Sequence, residues 1–147
     1  MKKIINRKAV FNYEFLEKIE AGIMLTGAEV KSVKMGRINL TESFVKISEN
    51  EVWLFNAHIS PYQPAADKDY EPTRRRKLLV HKKQIDQLVR RIDQKGLTIV
   101  PVSCYTSKRK VKLEIALAKG KREYQKREKI KNRDIQRDID RELRGKD

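Results

Sequence analysis

Leu97–Leu117 reads LTIVPVSCYTSKRKVKLEIAL. Its second half alternates cleanly: Val111, Leu113, Ile115 and Leu117 are apolar, with Lys112, Glu114 and Ala116 between them. A period of two is the mark of a strand with one buried face. The first half, Leu97 to Tyr105, is a second strand, and Ser107-Lys108-Arg109-Lys110 connects the two. The basic tip suits either a reach into a groove or simple solubility. Upstream, Lys82 to Lys95 is a helix. Ile85, Leu88, Val89 and Ile92 fall at i, i+3, i+4 and i+7, and Gly96 caps it. Arg90 and Arg91 flank that stripe, either solvated or against a ligand.

Working back toward the N-terminus, Val52 to Ile59 and Phe44 to Ile47 read as a hairpin turning near Glu49-Asn50. Trp53, Phe55 and Ala57 share a face, which places Trp53 in the core rather than on a stacking surface. His58 lies on the opposite face, as a histidine satisfied by a hydrogen bond. Thr26-Gly27-Ala28-Glu29 has the form of a capping box, followed by a short helix ending at Gly36. Glu29 is therefore either a cap or a functional carboxylate. From Tyr13 to Leu25 the odd positions are mostly apolar, interrupted by Glu17, and indicate another strand. Leu16 leaves a helical reading open at its start, and Gly22 marks a bulge or a close backbone approach. Five or six short strands and two helices around one core favour a small closed β-barrel with peripheral helices, because closure removes edges. An open α+β sheet is the alternative.

The charge balance narrows the function. The chain has 147 residues, which suits one domain, and a formal net charge of +15. Such a surface seeks a polyanion, nucleic acid before an anionic membrane. No stretch is long or apolar enough to span a bilayer, and no signal peptide is visible. Cys104 is the only cysteine, so neither a disulfide framework nor a cysteine-rich zinc site is expected. These features suit a soluble, reducing, cytoplasmic setting. Arg74 to Lys83 holds six Lys/Arg and no acid, a run that a phosphate backbone would explain. It follows a long loop, residues 60–73. No Walker loop, dinucleotide glycine pattern or metal-spaced His/Cys/carboxylate set is present, and a binding module fits better than an enzyme. No cofactor is expected.

Between Lys119 and Arg133 stand eight Lys/Arg and two acids, with almost no large apolar residues. A folded body over residues 1–118 therefore carries a basic tail over 119–147. Ile130, Ile135, Ile139 and Leu143 make a narrow helical stripe. The tail is expected to be disordered when free and helical when bound. Tyr124 stands inside the basic run, either to stack on a base or to pack locally.

Seven blocks together carry a resemblance. They are NRKA (6–9), EAGIMLTGAEVKS (20–32), KMGRINL (34–40), HISPY (58–62), RRRKLLVHKKQI (74–85), GLTIVPVSCY (96–105) and KVKLEIALAKGKREYQKRE (110–128). In this order, over nearly the whole chain, they resemble the SsrA-binding protein (SmpB) family, partners of transfer-messenger RNA. The resemblance implies a closed OB-like barrel and no catalysis. It implies binding to the tRNA-like domain of that RNA around its elbow, in place of an anticodon arm. The tail would enter the empty mRNA channel of a stalled ribosome near the small-subunit decoding centre, for rescue and peptide tagging by trans-translation. Elongation factor Tu and alanyl-tRNA synthetase would be indirect partners through the RNA. A general structural binder of ribosomal RNA is the alternative.

Carried onto this chain, the resemblance places RNA-binding residues at Asn6, Arg7, Lys8, Gly22, Glu29, Lys31, Arg76 and Lys77, the cations taking phosphates. The ribosome-binding tail would use Gly120, Lys121, Arg122, Tyr124, Lys126, Arg127, Lys129, Lys131 and Arg133. In the family's GKK…DKR pattern, Arg122 replaces a lysine and keeps its charge. Gln125 replaces an aspartate and loses one.

Overall fold

A computed structural model describes residues 1–65, 68–93, 96–122, 126–127 and 130–137. In chain order the elements are β1 (Ile4–Ile5), α1 (Arg7–Asn12), β2 (Tyr13–Ile23), α2 (Gly27–Lys34), β3 (Ile38–Asn39), β4 (Phe44–Ser48), β5 (Glu51–Phe55), β6 (His58–Ile59), β7 (Arg76–Leu79), α3 (Lys82–Ile92), β8 (Leu97–Ser107) and β9 (Lys110–Gly120). Seven of the strands form one antiparallel sheet in the order β1-β8-β9-β2-β7-β5-β4, and β3 pairs with β6 in a separate two-stranded sheet.

The hairpin of the opening stretch is longer than its alternation predicted. Its turn residues, Lys108 and Arg109, both have positive φ, 51° and 66°. That is the twist a two-residue hairpin needs, supplied here without glycine. Glu49 and Asn50 turn β4 into β5 in the same way, with φ of 51° and 61°. Two irregularities bend the sheet. One lies between Pro101 and Ser103 in β8, where proline has no N–H for the ladder. The other lies between Phe15 and Glu17 in β2. The extra residue there is Leu16; Glu17 is set opposite Leu117, on the face of Ile19, where it pairs with Arg91 at 2.8 Å.

The main core gathers Ile19, Ala21, Val52, Leu54, Leu78, Leu113, Ile115 and Leu117 from the sheet, with Val33 from α2 and Ile85 and Leu88 from α3. A second cluster lies on the other side of β8 and β9, where Ala9 of α1 packs on Val100, Val102, Ala116 and Ala118. The paired central strands are thus buried on both faces. That is why residues 99–104 run apolar or small without alternation.

The closed barrel expected from sequence is not formed. The sheet is open and the fold is mixed α/β: β1 and β4 are its edges and neither pairs with the other end. Closure was expected in order to remove edges, but these edges are managed otherwise. β1 is two residues long, and β4 is five residues long and carries exposed Lys46. Between β4 and β8 lies a cleft lined by Val45, Ile47, Val89, Ile92, Thr98 and Ile99, so side chains of α3 stand where a barrel would have a ladder.

Trp53 is a second correction. Val52 and Leu54, fully buried, are the core residues of β5, and Trp53 lies on the outer face, partly buried. The expected strand ran from Val52 to Ile59 on one alternation. In the structure Asn56, at φ 62°, ends β5 before Ala57 and Ile59 turn inward. Counting back across that break assigned Trp53 the wrong face.

The body extends beyond the boundary expected at residue 118. β9 runs to Gly120, paired with Tyr13. Lys121 donates from its backbone N–H to Asn12 O at 2.8 Å and from Nζ to Val10 O at 3.0 Å. In the tail, the described residues 126–127 and 130–137 are helical, and residues 130–137 are all exposed. Lys131, Arg133, Gln136 and Arg137 are good helix formers, and no Gly or Pro interrupts the run. Tyr124, Gln125, Lys129, Ile139 and Leu143 lie outside the described residues.

Candidate nucleic-acid interface

The capping box read from Thr26-Gly27-Ala28-Glu29 is present. Thr26 Oγ1 accepts from Glu29 N at 3.2 Å, and Glu29 Oε1 accepts from Thr26 N at 3.0 Å. The far end of α2 is closed by Gly36 at φ 78°. Gly36 N donates to Val33 O at 2.8 Å and Arg37 N to Ser32 O at 3.0 Å, a Schellman arrangement that favours glycine.

Glu29 is both a cap and the centre of a buried cluster, because α2 aims its first turn at β7. Arg76, fully buried, donates Nε at 2.9 Å and Nη2 at 2.6 Å to Glu29 Oε2. Arg76 also donates to Ala57 O at 2.6 Å and to Pro72 O at 3.0 Å. Arg74 donates to Glu29 Oε1. The Tyr70 hydroxyl lies 2.9 Å from Ile59 O and 3.2 Å from Glu29 Oε2, both acceptors for its one proton. Burial alone would raise the Glu29 pKa. The hydrogen bonds from Arg74, the Thr26 N–H and Arg76 outweigh it and hold the carboxyl below its ordinary value. Burial first, and the Glu29 charge next, push the Tyr70 hydroxyl up. The cluster ties α2, β7 and the loop before β7 together with one acid and two cations.

This geometry divides the residues carried over by resemblance. Arg76 has no surface to offer a phosphate, and Glu29, 1% exposed, has none to offer a base. Asn6 is buried as the N-cap of α1: its side chain accepts from Ala9 N and donates to Pro101 O at 2.8 Å. Gly22 allows close approach, since a Cβ there would lie 3.2 Å from Leu79 Cβ. Four of the eight are thus internal supports. The other four reach the surface. Arg7 is exposed. Lys8 pairs with Glu42 at 2.8 Å. The Lys31 ammonium lies 5.3 Å from the Tyr62 ring centroid. Lys77 pairs with Glu51 at 3.1 Å. They do not form one set. Asn6 and Lys8 line a cleft with Thr41 and Val100, while Gly22 and Lys77 line another with His81, Arg109, Lys110 and Lys112. In the tail, Arg122, Arg127, Lys131 and Arg133 are exposed and Lys126 is half-buried.

The run Arg74–Lys77 is not left bare of counter-charge either. Arg74 and Arg76 meet Glu29, Lys77 meets Glu51, and the Arg75 guanidinium lies 4.3 Å over the Trp53 ring. Sequence reasoning missed Tyr70 and Arg74 as members of the cluster. Nothing in the loop marks Tyr70. Arg74 stands two residues from Arg76, which on an extended chain sets both on one side, and that signal was available. Among the described residues no group of three or more His, Cys, Asp or Glu is placed to hold a metal. No described helix is long and apolar enough to cross a membrane.

A curved sheet braced by a buried ion cluster, with surplus cations on its clefts, tip and tail, defines a small polyanion-binding protein. The family model described as SmpB protein matches residues 3–145. The SsrA-binding protein of Sulfurihydrogenibium sp. (strain YO3AOP1) is 53% identical over 141 residues, covering 96% of this chain and 93% of that protein. That of Carboxydothermus hydrogenoformans is 49% identical over 148 residues, covering 99% of each. Among solved structures, a chain from "tmRNA-SmpB: a journey to the center of the bacterial ribosome" is similar with a TM-score of 0.69 and 40% identity. That similarity covers 84% of this chain and 87% of that one. The chain belongs to the SmpB family of SsrA-binding proteins.

Proposed function

We propose that this protein binds transfer-messenger RNA and acts with it in trans-translation at stalled ribosomes, as a binding protein and not a catalyst. The family match over residues 3–145 carries this reading, and the net charge of +15 is in keeping with it. The tRNA-like domain of the RNA is the part bound. Exposed Arg7, Lys8 and Lys31 and half-buried Lys77 contact phosphates, and Asn6, Gly22, Glu29 and Arg76 hold their surroundings in shape. The tail, beyond Lys121, occupies the empty mRNA channel near the decoding centre, with Arg122, Lys126, Arg127, Lys131 and Arg133 against ribosomal RNA. Elongation factor Tu and alanyl-tRNA synthetase act on the same RNA and meet the protein through it. The cytoplasm, where ribosomes work, is its place.

The test is to pull the full chain from lysate at moderate salt and sequence the bound RNA. One dominant small RNA with a tRNA-like end is expected. A spread of ribosomal RNA would instead make it a general ribosomal binder.

The division of the surface has its own test. Arg7→Ala with Lys31→Ala should lower the slope of log affinity against log salt by about two, roughly one for each phosphate left without its cation. The unfolding midpoint should hold, because both side chains are exposed. An unchanged slope would place the phosphate-binding cations elsewhere.

A further inference from the structure

We propose that the outer face of β4, β5 and β7 is a stacking platform for unpaired bases of single-stranded RNA, bordered on β7 by Lys77 and separate from Arg7, Lys8 and Lys31. On β4 and β5 the inward residues are Val45, Val52 and Leu54, all buried. The residues between them, Phe44, Lys46, Trp53 and Phe55, point the other way. Register sets Phe44 opposite Phe55 and Lys46 opposite Trp53, and Trp53 in turn opposite Lys77. The two phenylalanine rings stack with centroids 5.4 Å apart and planes 10° apart. Phe44 is 42% exposed although it is a large apolar side chain. Cations border the rings: Lys46 Nζ lies 5.4 Å from the Phe44 centroid, and the Arg75 guanidinium lies 4.3 Å over Trp53. Glu51 is the acid at this face, paired with Lys77 at 3.1 Å.

Aromatic rings on an open sheet face, interleaved with cations, form a surface on which bases stack while phosphates are neutralised. A guanidinium already lying on an indole offers its outer plane to a base as well. Duplex RNA keeps its bases paired and stacked on each other, so it has none to give such a face. An acidic peptide is not the first choice, because a peptide strand adding to β4 would use backbone groups and leave the rings without a role.

Trp53 is the only tryptophan in the chain, so its emission reports on this face directly. The full chain is titrated with a short single-stranded oligoadenylate, with duplex RNA of equal length, and with inorganic polyphosphate. Saturable quenching by the oligoadenylate alone is expected. Phe44→Ala with Phe55→Ala should weaken its binding, read by anisotropy of labelled RNA, by about tenfold. If that variant does not fold, Lys46→Glu keeps every ring and should weaken binding severalfold. Three outcomes overturn the proposal: oligoadenylate binding with unchanged Trp53 emission, equal quenching by polyphosphate, or no binding of the oligoadenylate. Each is read separately from the capture of transfer-messenger RNA, which the proposed function rests on Arg7, Lys8, Lys31 and Lys77.

Discussion

Glu29→Gln is expected to lower the stability of the folded chain by about 3–5 kcal/mol, the usual cost of removing one partner from a buried ion pair. The neutral amide leaves the fully buried Arg76 guanidinium without its counter-charge. It also weakens the acceptor shared by Arg74, Arg76 and the Thr26 N–H. The urea midpoint should fall with an unchanged slope, since the surface exposed on unfolding is the same. Glu29→Met with Arg76→Met should recover much of the loss, because an apolar pair leaves no fully buried charge uncompensated and Arg74, 35% exposed, can turn to solvent. A loss below about 1 kcal/mol for Glu29→Gln would mean that water or a shifted loop satisfies Arg76, and that the cluster is no brace. The pair also sets an acid limit. The folded-state pKa of Glu29 lies below its ordinary value of 4.5, so its contribution is complete above the unfolded value. It is lost as pH falls from there through the folded value. Acid unfolding of the wild type should be steeper below about pH 4.5 than that of Glu29→Gln.

Truncation after Arg122 should abolish tagging of stalled products while leaving the sheet folded and its RNA bound. The cut is set by structure. β9 continues to Gly120, and Lys121 is held by Asn12 O and Val10 O, so a cut at Leu117 would strip a ladder and a tie to α1. Beyond Arg122, Ile130 and Ile135 are 43% and 48% exposed, and the described part of the tail helix carries no buried face that the body would miss. Circular dichroism and RNA affinity should stay near wild type, while tagged product falls to background. Loss of RNA binding on truncation would refute the separation of body from tail. Normal tagging would refute the tail's place in the mRNA channel.

The resemblance located the Glu29 neighbourhood, but the roles it implied there were surface roles, whereas Glu29, Arg76 and Asn6 are buried and Gly22 sits tight against Leu79. Nothing within a few residues of Glu29 announces that Arg74, Arg76 and Tyr70 converge on it. They lie 41 to 47 positions away. The capping box, by contrast, was legible because both of its partners lie within one turn. Trp53 was misread for a related reason: alternation survives only while the strand is continuous, and Asn56 breaks it.

What the sequence determined by itself was local or additive. Periods of two and 3.6 marked β9 and α3, a glycine marked the end of α2, and summed charge pointed to a polyanion. Seven blocks in order pointed to the family. Tertiary structure alone decided that the sheet stays open, that α3 stands beside β4 and β8, and which acid meets which cation. Strand pairing and ion pairing join residues far apart in the chain. A segment's own sequence states what it can bury or neutralise, and the folded register states against what.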